Sequence, residues 1–575
     1  MVIMVNRAIE NCDALRPASE VMQIQRLGVM RSTSLSFLRI MFRKMMREAW
    51  DIKQTLFDLD NDGYGEALYK ITTPQGHYTF VALSREISDE VRSDRVISER
   101  WDITFALCEG EVSEKKLKKM KQELPKQEMG RGDVTDLVWS RANKSQRVFK
   151  HVVEALSKGE QPDLNILYEI GYLFRTTAVY GNGKFGIAPY EKVKEHHTFS
   201  GAFQAQMFAV YMLRHFSFEM VEHIARKRNP QAAQLGVEAK RLVGTGNATG
   251  LGMVPYVISH PKLLNQWMMI RETALACAKQ KNPSPEDYKR FIRNLDRVHH
   301  FFESAPIPHT LFFENPRHLA NEVEAILTLV KDSSETAIRS GGNTEQTWVQ
   351  LTDRVKEQFT VEAQELINSQ LIELYPEIIV DLEQQTNADD RILLVPEMTI
   401  GALRSIIKKQ YEWVFQYDFS QPEQKHYFWY RSVEKEEPRL GEHGVDPGAE
   451  LAMPMNIAEQ VQQLTAELAT CEDEQSVALF LFEKPELRGI VRRIQSLEGL
   501  PYGEVQANLT GADLLPVYLL RCKLAIFGAE RFDPKSNRWV RITLFQGAPL
   551  VEEIGTSAFN DDWFYPLLPN SEEIK

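Results

Sequence analysis

Three short runs combine the residue types that hold an anion. The first is Arg31-Ser32-Thr33-Ser34. The second starts at Arg175-Thr176-Thr177 and continues into Gly181-Asn182-Gly183-Lys184-Phe185-Gly186. The third is Gly244-Thr245-Gly246-Asn247-Ala248-Thr249-Gly250-Leu251-Gly252. A guanidinium offers a planar fork of donors that matches carboxylate or phosphate. Ser and Thr at a helix start accept bonds from free amides, and the same helix end attracts negative charge. Glycine lets a backbone approach a ligand closely, and consecutive amides can form an anion-binding nest.

These residues lead to one expectation. A small anion is bound by Arg31, Ser32, Thr33, Arg175, Thr176, Thr177, Gly181, Asn182, Gly183, Gly186, Gly246, Asn247, Thr249 and Gly250. Lys184, His196 or His197 then carries protons, as a cation or imidazole beside a bound substrate can. Each run also has a plainer reading: a helix cap, a surface turn and a helix connection.

Better-known phosphate motifs fail on context. Gly181-x-Gly183-x-x-Gly186 fits the letters of the dinucleotide fingerprint. However, Pro189 follows closely, the surroundings read as helical, and position 206 is Gln where an acid would close the pattern. The same residues resemble a kinase glycine-rich loop, but no H-R-D or D-F-G follows; Asp418-Phe419-Ser420 lacks the glycine. The third run is not a P-loop, because no Gly-Lys-Ser/Thr ends it.

Metal motifs are incomplete as well. Asp58-x-Asp60-x-Asp62-Gly63 opens like a calcium loop, but its twelfth position is Tyr69 instead of a bidentate acid. His215, Glu219, Glu222 and His223 lie on one helical stretch, and Glu219 and His223 share a face at a spacing of four, without H-E-x-x-H. His299-His300 are adjacent, and neighbours on a helix point about 100° apart, so such a pair rarely chelates one ion. No metal site is predicted, and no cofactor can be named.

The net charge of -12 and pI near 5.7 disfavour wrapping nucleic acid, where phosphate contacts dominate. The six lysines in Lys115–Lys126 read as a solvated helix face. Five scattered cysteines with no C-x-x-C read as buried thiols, not a disulfide framework. The apolar start of the chain is too short for a signal peptide and is broken by Asn6, Arg7 and Glu10. With no membrane span in view, the cytoplasm is the expected compartment, and a homo-oligomer stays open.

Helical periodicity covers Leu35–Met46, Val148–Leu156, Phe203–Arg228 and stretches at 262–281, 285–303, 317–331, 348–374 and 400–416. Ser284 before Pro285 reads as a helix start. Glu66–Ile71, Tyr78–Leu83 and Trp101–Cys108 read as strands, with Arg538–Phe545 a fourth. The predicted fold is mainly α with a small antiparallel β-sheet, a multi-helix core and a smaller C-terminal unit. The predicted divisions are 1–143 (α+β), 144–418 (helical core carrying the glycine-rich runs), 419–455 (linker) and 456–575 (smaller α+β region). The leading function is an enzyme acting on a small anionic metabolite. The alternatives are a non-catalytic interaction protein and a nucleotide-binding protein.

Overall fold

The structure is a computed structural model. It describes residues 15–86, 101–123, 135–176, 178, 196–201, 203–247, 261–304, 316–339, 348–383, 394–421, 429–432, 437–440, 453–455, 457–506, 520–529, 531–534, 540–556 and 561–565.

After helix α1 (Phe37–Arg47), the chain forms strands β1 (Asp51–Leu59), β2 (Gly65–Thr73) and β3 (Gly76–Ser84). The β1–β2 turn explains the acidic run at 58–63. The Asp60 carboxylate accepts the amides of Asp62 (2.9 Å) and Tyr64 (2.8 Å), and Gly63 takes a φ of 83°. This is an aspartate-closed turn. Next come β4 (Ile103–Glu109), helix α2 (Glu114–Glu123), β5 (Asp136–Lys144), helix α3 (Gln146–Ser157) and β6 (Tyr172–Thr176). A long helix, α4 (Gln204–Arg228), then leads to β7 (Gly244–Asn247).

The strands join in one sheet of nine, in the order β1-β2-β3-β4-β5-β6-β7-β12-β11, where β11 is Arg531–Pro534 and β12 is Val540–Leu544. All neighbours are antiparallel except β6 and β7, which are parallel. Parallel neighbours need a crossover, and α4 lies within this one. The sheet curls around one face of α4, which is buried along nearly its whole length. A helix buried on nearly all sides belongs in a core, and its buried polar side chains, Arg214 and Glu222 among them, are met by partners there. On the opposite face, α2 sets Leu117 and Met120 against Leu68, Val81, Leu83, Ala106 and Trp139.

The expected small antiparallel sheet is therefore overturned: the sheet is large, curled and mixed, although the chain is still mostly helical. Its last two strands come from beyond residue 530, the region expected to form a smaller C-terminal unit. β12 pairs with β7 through Thr543 opposite Gly246. Arg214 on α4 fastens the same region. It donates to the carbonyls of Val243 (2.7 Å), Lys240 (2.9 Å), Ala548 (3.0 Å) and Pro549 (3.3 Å). Burial lowers its pKa to about 10, which leaves it charged at neutral pH.

Two groups of helices follow in the chain. α5 (Pro261–Lys279), α6 (Pro285–Ser304), α7 (Pro316–Arg339) and α8 (Trp348–Gln358) surround α9 (Val361–Leu374). A reciprocal cap begins α6: the Ser284 hydroxyl accepts the Asp287 amide (3.1 Å), and the Asp287 carboxylate accepts the Ser284 amide (2.9 Å). α10 (Ile400–Gln410), α11 (Ile457–Leu468) and α12 (Arg488–Gln495) pack together further on. Strands β8 (Trp429–Ser432), β9 (Glu437–Leu440) and β10 (Met453–Met455) form a separate small sheet. No described helix is long and apolar enough to cross a membrane.

The N-terminal segment is tied to α5 and α9 by buried charge. Arg16 pairs with Glu272 (2.7 Å) and Glu365 (2.6 Å), Arg26 with Glu365 (2.7 Å), and Arg271 with Glu272 (2.9 Å) and Glu365 (2.8 Å). Burial alone would raise the Glu365 pKa. The charges of Arg16, Arg271 and Arg26 outweigh it and hold the group far below the usual carboxylate range.

Candidate functional site

Strands β6 and β7 are short and carry the described parts of two of the polar runs. Their parallel register sets Arg175 against Gly246 and Thr176 against Asn247. On the other side, Arg175 lies opposite Asn143 of β5, and Thr104 of β4 lies opposite Arg141. Side chains two apart on a strand share a face. Arg141, Asn143 and Arg175 thus stand on the sheet face away from α4.

An aromatic ring organises this face. The Arg141 guanidinium lies 4.7 Å from the centre of the Trp101 ring, and that of Arg85 lies 4.9 Å from it. The Trp101 indole donates to Thr104 Oγ1 (2.8 Å), which fixes the ring. Asp102 supplies the nearby carboxylate; it is buried and accepts the Lys144 amide (2.9 Å). Among the described residues, the face therefore brings together the guanidiniums of Arg85, Arg141 and Arg175 and the Asp102 carboxylate. Thr543 Oγ1, on the strand beyond Gly246, is buried with no hydrogen-bond partner among the described residues.

The glycines of β7 have a packing role. A Cβ on Gly246 would sit 2.7 Å from the Tyr172 ring, and one on Gly244 would sit 2.2 Å from the Leu544 carbonyl oxygen. Close strand approach thus requires glycine here whether or not a ligand binds. The Thr176 hydroxyl is also engaged, donating to the Arg141 carbonyl (2.8 Å) and accepting the Ala178 amide (3.1 Å).

The first run sits among helices. Arg31 is buried, pairs with Glu362 and lies 5.0 Å over the Phe302 ring. The Ser32 hydroxyl lies 3.3 Å from the carbonyls of both Leu524 and Ala529. Thr33 Oγ1 accepts the Leu35 amide (3.3 Å). Ser34 and Arg39 both bind Glu373 of α9. Arg31 is thus already paired with a carboxylate; the structure joins the described parts of the second and third runs and gives the first its own carboxylates.

Thr177, Gly181, Asn182, Gly183, Lys184, Gly186, Thr249 and Gly250 lie outside the described residues. His196 is placed beside Glu109 (3.3 Å), with its ring 6.2 Å from that of Tyr78. His197 offers its carbonyl to Lys44 (3.4 Å).

The residues around Glu219 pair differently from their spacing in sequence. Glu219 accepts from Tyr69 and from Gln54 (2.9 Å), and lies 3.6 Å from His215 one turn earlier. His223 instead faces the carbonyls of Leu59 and Asp60, each 3.0 Å away. Burial raises the pKa of Tyr69, reinforced by Glu219, and lowers that of His215. The partners from β1 and β2 could not be seen from the helix alone. Cys108, Cys471 and Cys522 are free thiols, whereas Cys277 is disulfide-bonded, which the scattered cysteine spacing gave no sign of. Burial, and then the Asp136 carboxylate (3.2 Å), push the Cys108 thiol pKa up, which disfavours the thiolate.

In comparisons with known proteins, the chain matches no protein family, no curated protein and no solved structure.

Proposed function

We propose that this chain is an enzyme for a small anionic molecule, a carboxylate or a phosphate, held at the face of the sheet beside Arg175. One observation carries the reading: the parallel β6–β7 pair brings Arg175 against Gly246, beside the strand that carries Arg141. Three guanidiniums on one partly buried face form a field that favours an anion, and the Trp101 ring orders two of them. Of the proton carriers expected from sequence, His196 lies beside Glu109, at the end of β4 far from the Thr104–Arg141 pair, and so is not placed at this face.

The test is thermal unfolding against a panel of phosphates, nucleotides and di- and tricarboxylates. A ligand at about 100 times its Kd stabilises the fold by about 2.7 kcal/mol. The expected result is a shift for one anion class that is lost in Arg175→Ala and retained in Lys53→Ala, an exposed control. No shift for any anion, or a shift that survives Arg175→Ala, rejects the site.

A second reading, a docking protein, has its own observation. On the helix Val477–Glu483, Phe482 is 87% exposed and Leu479, one turn back, is 53% exposed. Large apolar side chains placed together in water mark interaction surfaces. Phe482→Ser would then abolish association with a partner and leave anion binding untouched.

A further inference from the structure

The last turn of α6 reads His299-His300-Phe301-Phe302-Glu303. Adjacent histidines on a helix diverge, but a carboxylate one turn later lies below both. Glu303 is four residues from His299 and three from His300, and both spacings make neighbours on a helix surface. One ligand atom from each of the three side chains lies within 4.8 Å of the other two. No other group of three or more histidine, cysteine or acidic side chains converges in this way among the described residues.

Further observations favour an ion here. His300 Nδ1 lies 3.5 Å from the Glu303 carboxylate, and its Nε2 lies 3.8 Å from that of Asp296. One ring nitrogen can thus ligate while the other donates to an outer carboxylate, an arrangement that orients ligating histidines. The far side of the turn is anchored. Phe302 is buried beneath the Arg31 guanidinium, and Phe301 meets the Tyr565 ring edge-on at 5.4 Å. The backbone is therefore fixed, while the outer side chains of His300 and Glu303 are exposed and able to rotate.

We propose that His299, His300 and Glu303 bind one divalent transition-metal ion of the zinc class, with Asp296 as the outer carboxylate. Two imidazoles and a carboxylate suit zinc, and three protein ligands leave a fourth position for water or an incoming group. Bonds of about 2.1 Å place tetrahedral donors about 3.4 Å apart. Rotation of exposed side chains closes the remaining gap. The site lies on the helical group, not on the arginine-bearing sheet face, and does not depend on the anion reading.

The experiment uses the full chain, free of any affinity tag and stripped of metal by chelation. Zinc is titrated by calorimetry, and cobalt is used as the spectroscopic probe. One saturable site is expected. Removing an outer-shell partner costs about 10–100-fold in affinity. His299→Ala and Glu303→Gln are therefore expected to weaken zinc binding at least tenfold, with Asp296→Asn weakening it less than either. Without metal, the far-ultraviolet circular dichroism of the variants should match the parent. The absence of saturable zinc uptake, or unchanged affinity in a His299→Ala/His300→Ala double variant, overturns the proposal.

Discussion

Glu365 has the most concentrated role of any single side chain described. It is fully buried on α9 and bonds three arginines, two from the N-terminal segment and one from α5. Removing one partner from a buried ion cluster leaves charge uncompensated and typically costs about 3–5 kcal/mol. Glu365→Gln is expected to lower the urea midpoint accordingly. Its pH dependence follows from the depressed pKa. The stabilisation is complete above the unfolded-state value of about 4.3 and is lost as pH falls toward the folded value. The parent should thus lose stability on acidification below about pH 4.5, and the variant should lose less. An equal acid response in both would show that Glu365 is not the group responsible. The residue types of the polar runs were legible in the sequence, but their partners were not. Arg31 and Arg175 look alike as letters. Only the fold gives one Glu362 and the other a place on a sheet face.

At the scale of elements, legibility followed amphipathicity. α6 was readable because a Ser-Pro start and an apolar stripe coincide. β2, β3 and β4 were readable from their β-branched and aromatic residues. β6 and β7 were not: Tyr-Leu-Phe-Arg-Thr and Gly-Thr-Gly-Asn are short, and the second is poor in strand formers. β7 is a strand because it lies between β6 and β12, and its glycines admit the Tyr172 ring and the β12 backbone. Gly246→Ala is therefore expected to destabilise by about 1–3 kcal/mol, the cost of overpacking. Trimming the ring with Tyr172→Leu should recover part of that loss, as coupling between touching residues requires. Strictly additive effects in denaturant unfolding would count against this account of the glycine.

The whole molecule is organised by pairings between segments far apart in sequence. β7 bonds β12, α1 packs on α4, and α9 holds both the N-terminal segment and the first polar run. A smaller C-terminal unit is expected from sequence because a strand and helices follow a polar stretch; nothing in their letters says that β12 pairs with β7 opposite Gly246. Deleting residues 531–575 is expected to expose the β7 edge and the carbonyl partners' side of α4. Thermal unfolding should then become broad and non-cooperative, with increased aggregation. A sharp, unchanged transition in the truncated chain would mean that the C-terminal strands are an accessory.

The sheet order also fixes a schedule for synthesis. β7 ends at Asn247, whereas its neighbour β12 begins at Val540. At about 5–20 residues per second, a ribosome needs roughly 15–60 s to cover that interval. During that time a short edge of unpaired amides and carbonyls, flanked by aromatic residues, faces the cell. Such an edge is a template for the wrong strand. Pairing with β12 is what removes that edge. The chain's yield on expression should be governed by how fast residues 531–544 follow the sheet they complete.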